Sequence, residues 1–210
     1  MALKSFVKIS GINNLSDARY CAGMTVDVLG FSFEPNHPNY IDPNKFTAIA
    51  EWLSGVDFCA EFEEANAEEI RETLQQYPDV KYLQIRNPDF LPALQLLQKP
   101  IILRLSAEML AQPKALGDLM EKSSSDVAYF LFEEEDEAQE QAAVDEVLRL
   151  AKQYPILQGF GLTPDNVQVL LEKGHLKGIA LRGGDEIKPG YKDFDDLADI
   201  LETIEIDDMA

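Results

Sequence analysis

The sequence predicts an α/β protein, a single (β/α)8 TIM barrel of near-minimal size, and three observations predict it. Short β-branched and aromatic runs alternate with longer amphipathic stretches from one end of the chain to the other. The alternation counts to eight strands and eight helices. Capping residues stand where that count places helix starts. Eight units in 210 residues are about 26 residues each, near the lower size limit for a closed barrel. The same alternation also allows an open, doubly wound sheet, which is the alternative architecture.

Taken in order, Phe6 to Ser10 is the first strand, and the helix after it, Ser16 to Ala22, starts at Ser16-Asp17, an N-cap pair. The apolar run Val26 to Phe33 leads into Pro43 to Leu53, whose Asp42-Pro43 start combines a capping carboxylate with proline in the first turn. Val56 to Phe62 alternates polar and apolar residues. Ala67 to Gln76 follows, with Asn66 and Glu69 at capping-box spacing. Val80 to Arg86 and Ile101 to Leu105 are the fourth and fifth strands, each followed by an amphipathic stretch, Phe90 to Leu97 and Ala107 to Met120. Val127 to Phe132 precedes Glu137 to Gln153, and the acidic run Glu133 to Glu137 lies at that handover, where a helix dipole favours negative charge. Ile156 to Gly161 with Pro164 to Lys173, started by Thr163-Pro164-Asp165, and Lys177 to Arg182 with Asp193 to Glu205 complete the count. No linker or composition shift divides the chain, so residues 1–210 are expected to form one domain, with 203–210 a frayed acidic tail.

Composition limits what such a barrel can bind. With 38 acidic and 18 basic residues the chain carries a formal charge of −20, which argues against nucleic acid and against an anionic membrane surface. No apolar run is long enough to span a bilayer, and the first residues lack a signal-peptide pattern, so a cytoplasmic location is expected. Cys21 and Cys59 stand far apart with no metal-ligand spacing, so two reduced, buried thiols are expected, and neither a metal nor a cofactor. The chain is expected to act as a monomer or homodimer.

In a barrel of this kind ligands sit at the C-terminal ends of the strands, so the last inward-pointing residues are the candidates. Strand alternation puts Lys8 and Ser10 inside on the first strand and Asp57, Cys59 and Glu61 on the third. It does the same for Gln84 and Arg86, for Arg104 and Ser106, and for Arg182. Lys8, Arg86, Arg104 and Arg182 are four of only 18 basic residues, and parity gathers them around one axis. Such a pocket suits a small anion, with arginine matched to phosphate or carboxylate. An internal ion-pair network with Asp57, Glu61 and Glu133 explains the same charges and can coexist with it. Two glycine-containing turns, at Gly159-Phe160-Gly161 and at Gly183-Gly184, follow the seventh and eighth strands, where barrels commonly hold phosphate. His37 and His175 lack neighbouring carboxylates or nucleophiles and read as structural or surface residues. Glu61 and Glu133 are a candidate acid/base pair.

These residues resemble a known family, phosphoribosylanthranilate isomerase of tryptophan biosynthesis. Phe6-Val7-Lys8-Ile9-Ser10-Gly11-Ile12 with Asp17-Ala18 is similar to its opening K-I-C-G-I-T-x-x-x-D-A, and Asp27-Val28-Leu29-Gly30-Phe31-Ser32-Phe33 to its D-x-L-G-F-x-F. Pro38-Asn39-Tyr40 with Pro43 resembles S-P-R-Y-V-x-P. Gly161-Leu162-Thr163-Pro164-Asp165-Asn166-Val167 resembles G-G-L-T-P-E-N-V, and Pro189-Gly190-Tyr191-Lys192-Asp193 the late P-G-x-K-D. The resemblance implies a (β/α)8 barrel and an Amadori rearrangement of an aminoaldose phosphate, with a Cys as general base and an Asp after the sixth strand as general acid. Here Ser10 stands at the Cys position and Glu133, or Phe132 if the register shifts by one, at the Asp position. Asn39 replaces the family's Arg, Arg86 its His, and Ala180-Leu181-Arg182-Gly183-Gly184 its D-V-S-S-G.

Scaffold residues match while chemistry-bearing residues do not. The leading expectation is therefore a family barrel that binds a small phosphorylated or carboxylated metabolite through Lys8, Asn39, Arg86, Arg104 and Arg182, with its isomerase chemistry impaired or altered. A working isomerase using Ser10 and Glu133, with Glu133 as general acid, is the first alternative. A non-catalytic interaction protein is the second.

Overall fold

The computed structural model describes residues 2–133, 141–182, 186–188, 191–192 and 195–206. Eight parallel strands close into a barrel in sequence order: β1 (Phe6–Ser10), β2 (Val28–Ser32), β3 (Asp57–Glu61), β4 (Tyr82–Ile85), β5 (Ile101–Leu105), β6 (Tyr129–Glu133), β7 (Ile156–Gly159) and β8 (Gly178–Arg182). Closure comes from β8 pairing with β1 along its whole length, from Phe6 opposite Gly178 to Ser10 opposite Arg182. A closed sheet leaves no edge, so the predicted barrel, rather than the open alternative, is what forms.

The helices are α1 (Leu15–Gly23), α2 (Pro43–Ala50), α3 (Ala67–Leu74), α4 (Leu91–Leu94), α5 (Pro113–Ser123), α6 (Gln141–Ala151), α7 (Val167–Lys173) and α8 (Asp195–Thr203). Several starts follow the sequence chemistry. Asp42 accepts from the amides of Asn44 and Lys45, and Asn66 and Glu69 complete a reciprocal capping box. Two starts differ from expectation. Asn14, rather than Ser16-Asp17, caps α1 through the Asp17 amide. Asn166 occupies the cap position of α7, after Thr163-Pro164-Asp165, and its side chain accepts from the Thr163 amide and donates to the Gly161 carbonyl.

The fourth and fifth helical stretches are broken. α4 spans one turn between two 3-10 segments, Pro88–Phe90 and Gln95–Leu97, and Pro92 lacks the amide that a continuous helix would donate to the Pro88 carbonyl. Residues Ala107–Ala111 likewise form a 3-10 segment that stops before Pro113, where α5 begins. A short antiparallel ribbon, β9 (Glu186–Lys188) with β10 (Tyr191–Lys192), follows β8, and β10 lies beside α1. The alternation of strands and helices carried no sign of it.

Two apolar layers hold the barrel. The larger lies between strands and helices, where Phe31, Phe33, Phe46, Phe58 and Tyr77 pack ring against ring, and the Tyr77 hydroxyl donates to the Ile41 carbonyl at 2.8 Å. The smaller fills the interior with Val28, Cys59, Ile102, Leu131, Leu157 and Ala180. Phe6, stacked on Tyr129 at 5.0 Å, packs against that interior cluster with Tyr82. Cys21 and Cys59 are buried thiols that form no disulfide, one in each layer. Residues 203–206, expected to fray, are tied to the start of the chain: Lys4 N donates to the Ile204 carbonyl and Ile206 N to the Ala2 carbonyl. Residues 207–210 lie outside the described residues. Among the described residues no helix is long and apolar enough to cross a membrane.

Candidate functional site

Above the apolar interior, at the C-terminal ends of the strands, the inward positions become polar and charged. Lys8 is fully buried; its ammonium donates to Ser10 Oγ at 2.7 Å and pairs with Glu61 Oε1. The second oxygen of Glu61 accepts from the Gly11 amide at 3.1 Å. This pair fits because β2 presents Gly30 beneath it. A Cβ there would stand 2.0 Å from Glu61 Oε1 and 3.0 Å from Lys8 Nζ. Burial works to lower the Lys8 pKa, but the carboxylate of Glu61, with a smaller contribution from Glu133, raises it, so the ammonium stays charged.

Across the mouth, the last two residues of β6 face opposite ways. Phe132 is buried in the outer apolar layer, and Glu133 points inward. Its Oε1 accepts from Ser10 Oγ at 2.9 Å, and its Oε2 meets Arg182 Nη2 at 3.1 Å and Arg104 Nε at 3.3 Å. Gly159 makes room for it, since a Cβ on Gly159 would lie 3.1 Å from Glu133 Cβ and 3.0 Å from the Phe132 carbonyl oxygen. Burial acts to raise the Glu133 carboxyl, but the charge of Lys8, then Arg182 with its hydrogen bond, then Arg104, brings it down to about 2. Near neutrality Glu133 is a carboxylate that only accepts hydrogen bonds. Cys59, beneath it, is pushed by burial up to about 12 despite the nearby Lys8, so its thiol keeps its proton.

Toward the rim, Glu63 in the loop after β3 joins two arginines. Its Oε1 lies 2.5 Å from Arg104 Nη1 and its Oε2 lies 2.9 Å from Arg86 Nη1. The loop is anchored from β2's side. Glu34 accepts from the consecutive amides of Glu63, Glu64 and Ala65 at 3.0, 2.8 and 2.6 Å, a backbone nest around a carboxylate. Asn39 lies on the β1 side, where its Oδ1 accepts from Asn13 Nδ2 at 2.9 Å and its amide donates to His37 Nδ1 at 3.1 Å. Its side-chain nitrogen is 3.6 Å from where a Cβ on Gly11 would stand.

The structure thus brings Lys8, Ser10, Arg104, Glu133 and Arg182 into one connected cluster, with Glu61 on one flank and Arg86 at the rim. The four cations meet three carboxylates, Glu61, Glu63 and Glu133, so the ion-pair network exists. Its membership differs from expectation at one position. Asp57 opens β3 at the opposite end of the barrel and pairs there with Lys81 at 2.6 Å, because parity fixes the face but not the height. Ser106 accepts from the Glu108 amide and caps the 3-10 segment.

The first glycine turn is placed residue by residue. Gly159 is the last residue of β7, Phe160 is buried in the outer layer, and Gly161 makes the turn at φ +63°. The carbonyls of Phe160 and Gly161 accept from Gln158 and Asn166. Gly183 and Gly184, and the acidic residues Glu134 to Glu137, lie outside the described residues. Sequence reasoning missed Glu63, which falls beyond the strand where parity no longer applies, and the clearance supplied by Gly30 and Gly159. A glycine at an inward strand position beside a long charged residue was the available signal. Among the described residues no group of three or more His, Cys, Asp and Glu side chains could hold a metal ion.

No protein-family model matches the chain. Curated relatives do match. An N-(5'-phosphoribosyl)anthranilate isomerase from Rippkaea orientalis is 29% identical over 215 residues, covering 95% of this chain and 95% of that protein. A counterpart from Chlorobium phaeovibrioides is 27% identical over 213 residues, covering 95% and 96%. Among solved structures, phosphoribosyl anthranilate isomerase from Thermus thermophilus superposes with a TM-score of 0.75 at 23% identity, covering 94% of this chain and 97% of that one. At that identity the likeness speaks for the fold.

Proposed function

From the premise that the chain belongs to the phosphoribosylanthranilate isomerase family, we propose that it binds a small phosphorylated or carboxylated metabolite at the C-terminal mouth, with the family's isomerase chemistry impaired or altered. One observation supports this reading: Ser10 and Glu133, at the two positions that carry the family's proton transfers, are tied with Lys8 into one hydrogen-bonded chain. The resemblance assigns a general base to position 10 and a general acid to position 133. Ser10 has a hydroxyl, a far weaker acid than a thiol of pKa ~8.5. That hydroxyl accepts a hydrogen bond from the Lys8 ammonium and donates one to the Glu133 carboxylate, keeping its own proton. With the Glu133 carboxyl at about 2, roughly one molecule in 10⁵ holds the acidic proton at neutral pH.

What the mouth retains is anion recognition. Arg182 is 39% exposed and Arg86 52% exposed at their side chains, so both reach solvent from which a ligand arrives. Arginine suits phosphate and carboxylate equally, because its fork donates to two oxygens at once.

The test adds phosphoribosylanthranilate to the purified protein and follows loss of its anthranilate fluorescence, with Ser10→Cys/Glu133→Asp alongside. Inorganic phosphate is titrated in parallel with thermal unfolding as the readout. The expected result is little or no turnover by the folded protein and a phosphate-dependent rise in unfolding temperature that Arg182→Ala weakens. Full turnover abolished by Glu133→Gln would overturn the reading in favour of a working isomerase of tryptophan biosynthesis. Absence of both turnover and phosphate stabilisation would favour an interaction protein whose charged interior is a structural network.

A further inference from the structure

Of the three carboxylates in the mouth, Glu63 differs from the other two in placement. Glu61 and Glu133 project from strand ends, with side chains 9% and 1% exposed, whereas Glu63 sits in the β3–α3 loop and is 19% exposed. Glu63 presents one oxygen to each of two guanidinium groups, Oε1 to Arg104 at 2.5 Å and Oε2 to Arg86 at 2.9 Å. Two arginines recognise a free carboxylate in the same way, with charge-assisted bonds to both oxygens.

The three carboxylates also differ in what their departure leaves behind. Removing Glu61 strips the fully buried Lys8 of its salt-bridge partner, and removing Glu133 uncovers Lys8, Arg104 and Arg182 together. Glu63 is the most exposed of the three, and Arg86, one of its two partners, is half exposed. A rotation of its side chain moves a carboxylate into water without shifting the main chain, since Glu34 holds the amides of residues 63, 64 and 65.

We propose that Arg86 and Arg104 form a subsite for the carboxylate of a ligand, filled in the free protein by Glu63, which turns out to solvent when the ligand's carboxylate replaces it. The proposal rests on the reading of the mouth as an anion site and deepens it by placing the carboxylate end of the ligand against β4 and β5. Charge decides carboxylate over phosphate at this point. Exchange of one monoanion for another leaves the balance of the network unchanged. A phosphate dianion would add charge beside Glu133, whose Oε2 already lies 3.3 Å from Arg104. A tethered carboxylate competes at an effective concentration on the order of millimolar, so at a two-arginine site with an intrinsic affinity of about 0.1 mM or tighter its removal should strengthen binding of a free carboxylate about tenfold or more.

Benzoate serves as the probe, titrated calorimetrically at constant ionic strength into the full chain, Glu63→Gln and Glu63→Ala, and into each variant combined with Arg86→Met. Circular dichroism and a thermal melt establish that each protein is folded, and inorganic phosphate is titrated into all of them. Both Glu63 variants are expected to bind benzoate about tenfold or more tightly than the parent protein. Arg86→Met is expected to cancel that gain. No gain in either folded variant, or a gain that survives Arg86→Met, overturns the subsite. Failure of every protein to bind phosphate would instead overturn the phosphate part of the parent reading, and the benzoate comparison would still decide the subsite by itself.

Discussion

Replacing Glu133 by Gln removes one buried charge and leaves a side chain of nearly the same shape. The carboxyl is held at about 2 against an ordinary 4.5, and its side chain is 1% exposed, so solvent screening is small. That depression corresponds to about 3 kcal/mol of stability carried by the ionised form. The folded-state value is lowered, so the contribution is fully present above the unfolded-state value near 4.5 and is lost as pH falls through about 2. It should amount to about 3 kcal/mol above pH 5 and to roughly half of that or less at pH 3. The assay is urea unfolding of the parent protein and Glu133→Gln at several pH values from 7.5 down to 3, at one ionic strength. The many surface carboxylates titrate in both proteins and cancel in the difference. At pH 7.5 the variant should be less stable by about 3 kcal/mol, because Lys8, Arg104 and Arg182 lose their shared counter-charge. The gap should narrow by roughly half at pH 3. A gap below about 1 kcal/mol at pH 7.5, or one that stays constant with pH, would refute the account of Glu133 as the ionised centre of the cluster.

Gly30→Ala places a Cβ 2.0 Å from Glu61 Oε1, so Glu61 must leave Lys8, and urea unfolding should show a loss of about 2–4 kcal/mol. A loss under about 0.5 kcal/mol would mean that Glu61 and Lys8 do not pair above Gly30. Asn66→Ala removes the α3 capping box and should cost about 1 kcal/mol by the same measurement, with the isomerase assay and phosphate response unchanged. Cys59, buried and pushed to about 12, should resist a thiol reagent at pH 8 in the native protein and react after denaturation; rapid native labelling at Cys59 would contradict its interior position.

Much of the fold can be read from local chemistry. β1 and β5 have the bounds that their β-branched runs indicate, and α2 and α3 begin at the capping residues that Asp42 and Asn66 supply. Local rules were less reliable where two signals competed. Asn14 is the α1 cap although Ser16-Asp17 carries capping chemistry of the same kind, and the prolines at 92 and 113 fall inside stretches whose apolar spacing reads as continuous helix. In the site, parity placed Lys8, Ser10, Gln84, Arg104 and Arg182 on the inward face without any knowledge of their partners.

The sequence by itself determined the number of strand–helix units and which residues face inward, because both depend on side-chain periodicity between near neighbours. Only the tertiary structure decided who meets whom. Ser10 and Glu133 lie 123 positions apart, and the closing register of β8 on β1 is what sets Arg182 opposite Ser10. Strand tilt and stagger set the height of each residue in the barrel, which sends Asp57 to one end with Lys81 and Glu61 to the other with Lys8. That height, together with the space left by Gly30 and Gly159, turns a list of inward charges into a connected network with an ionised Glu133 near its centre.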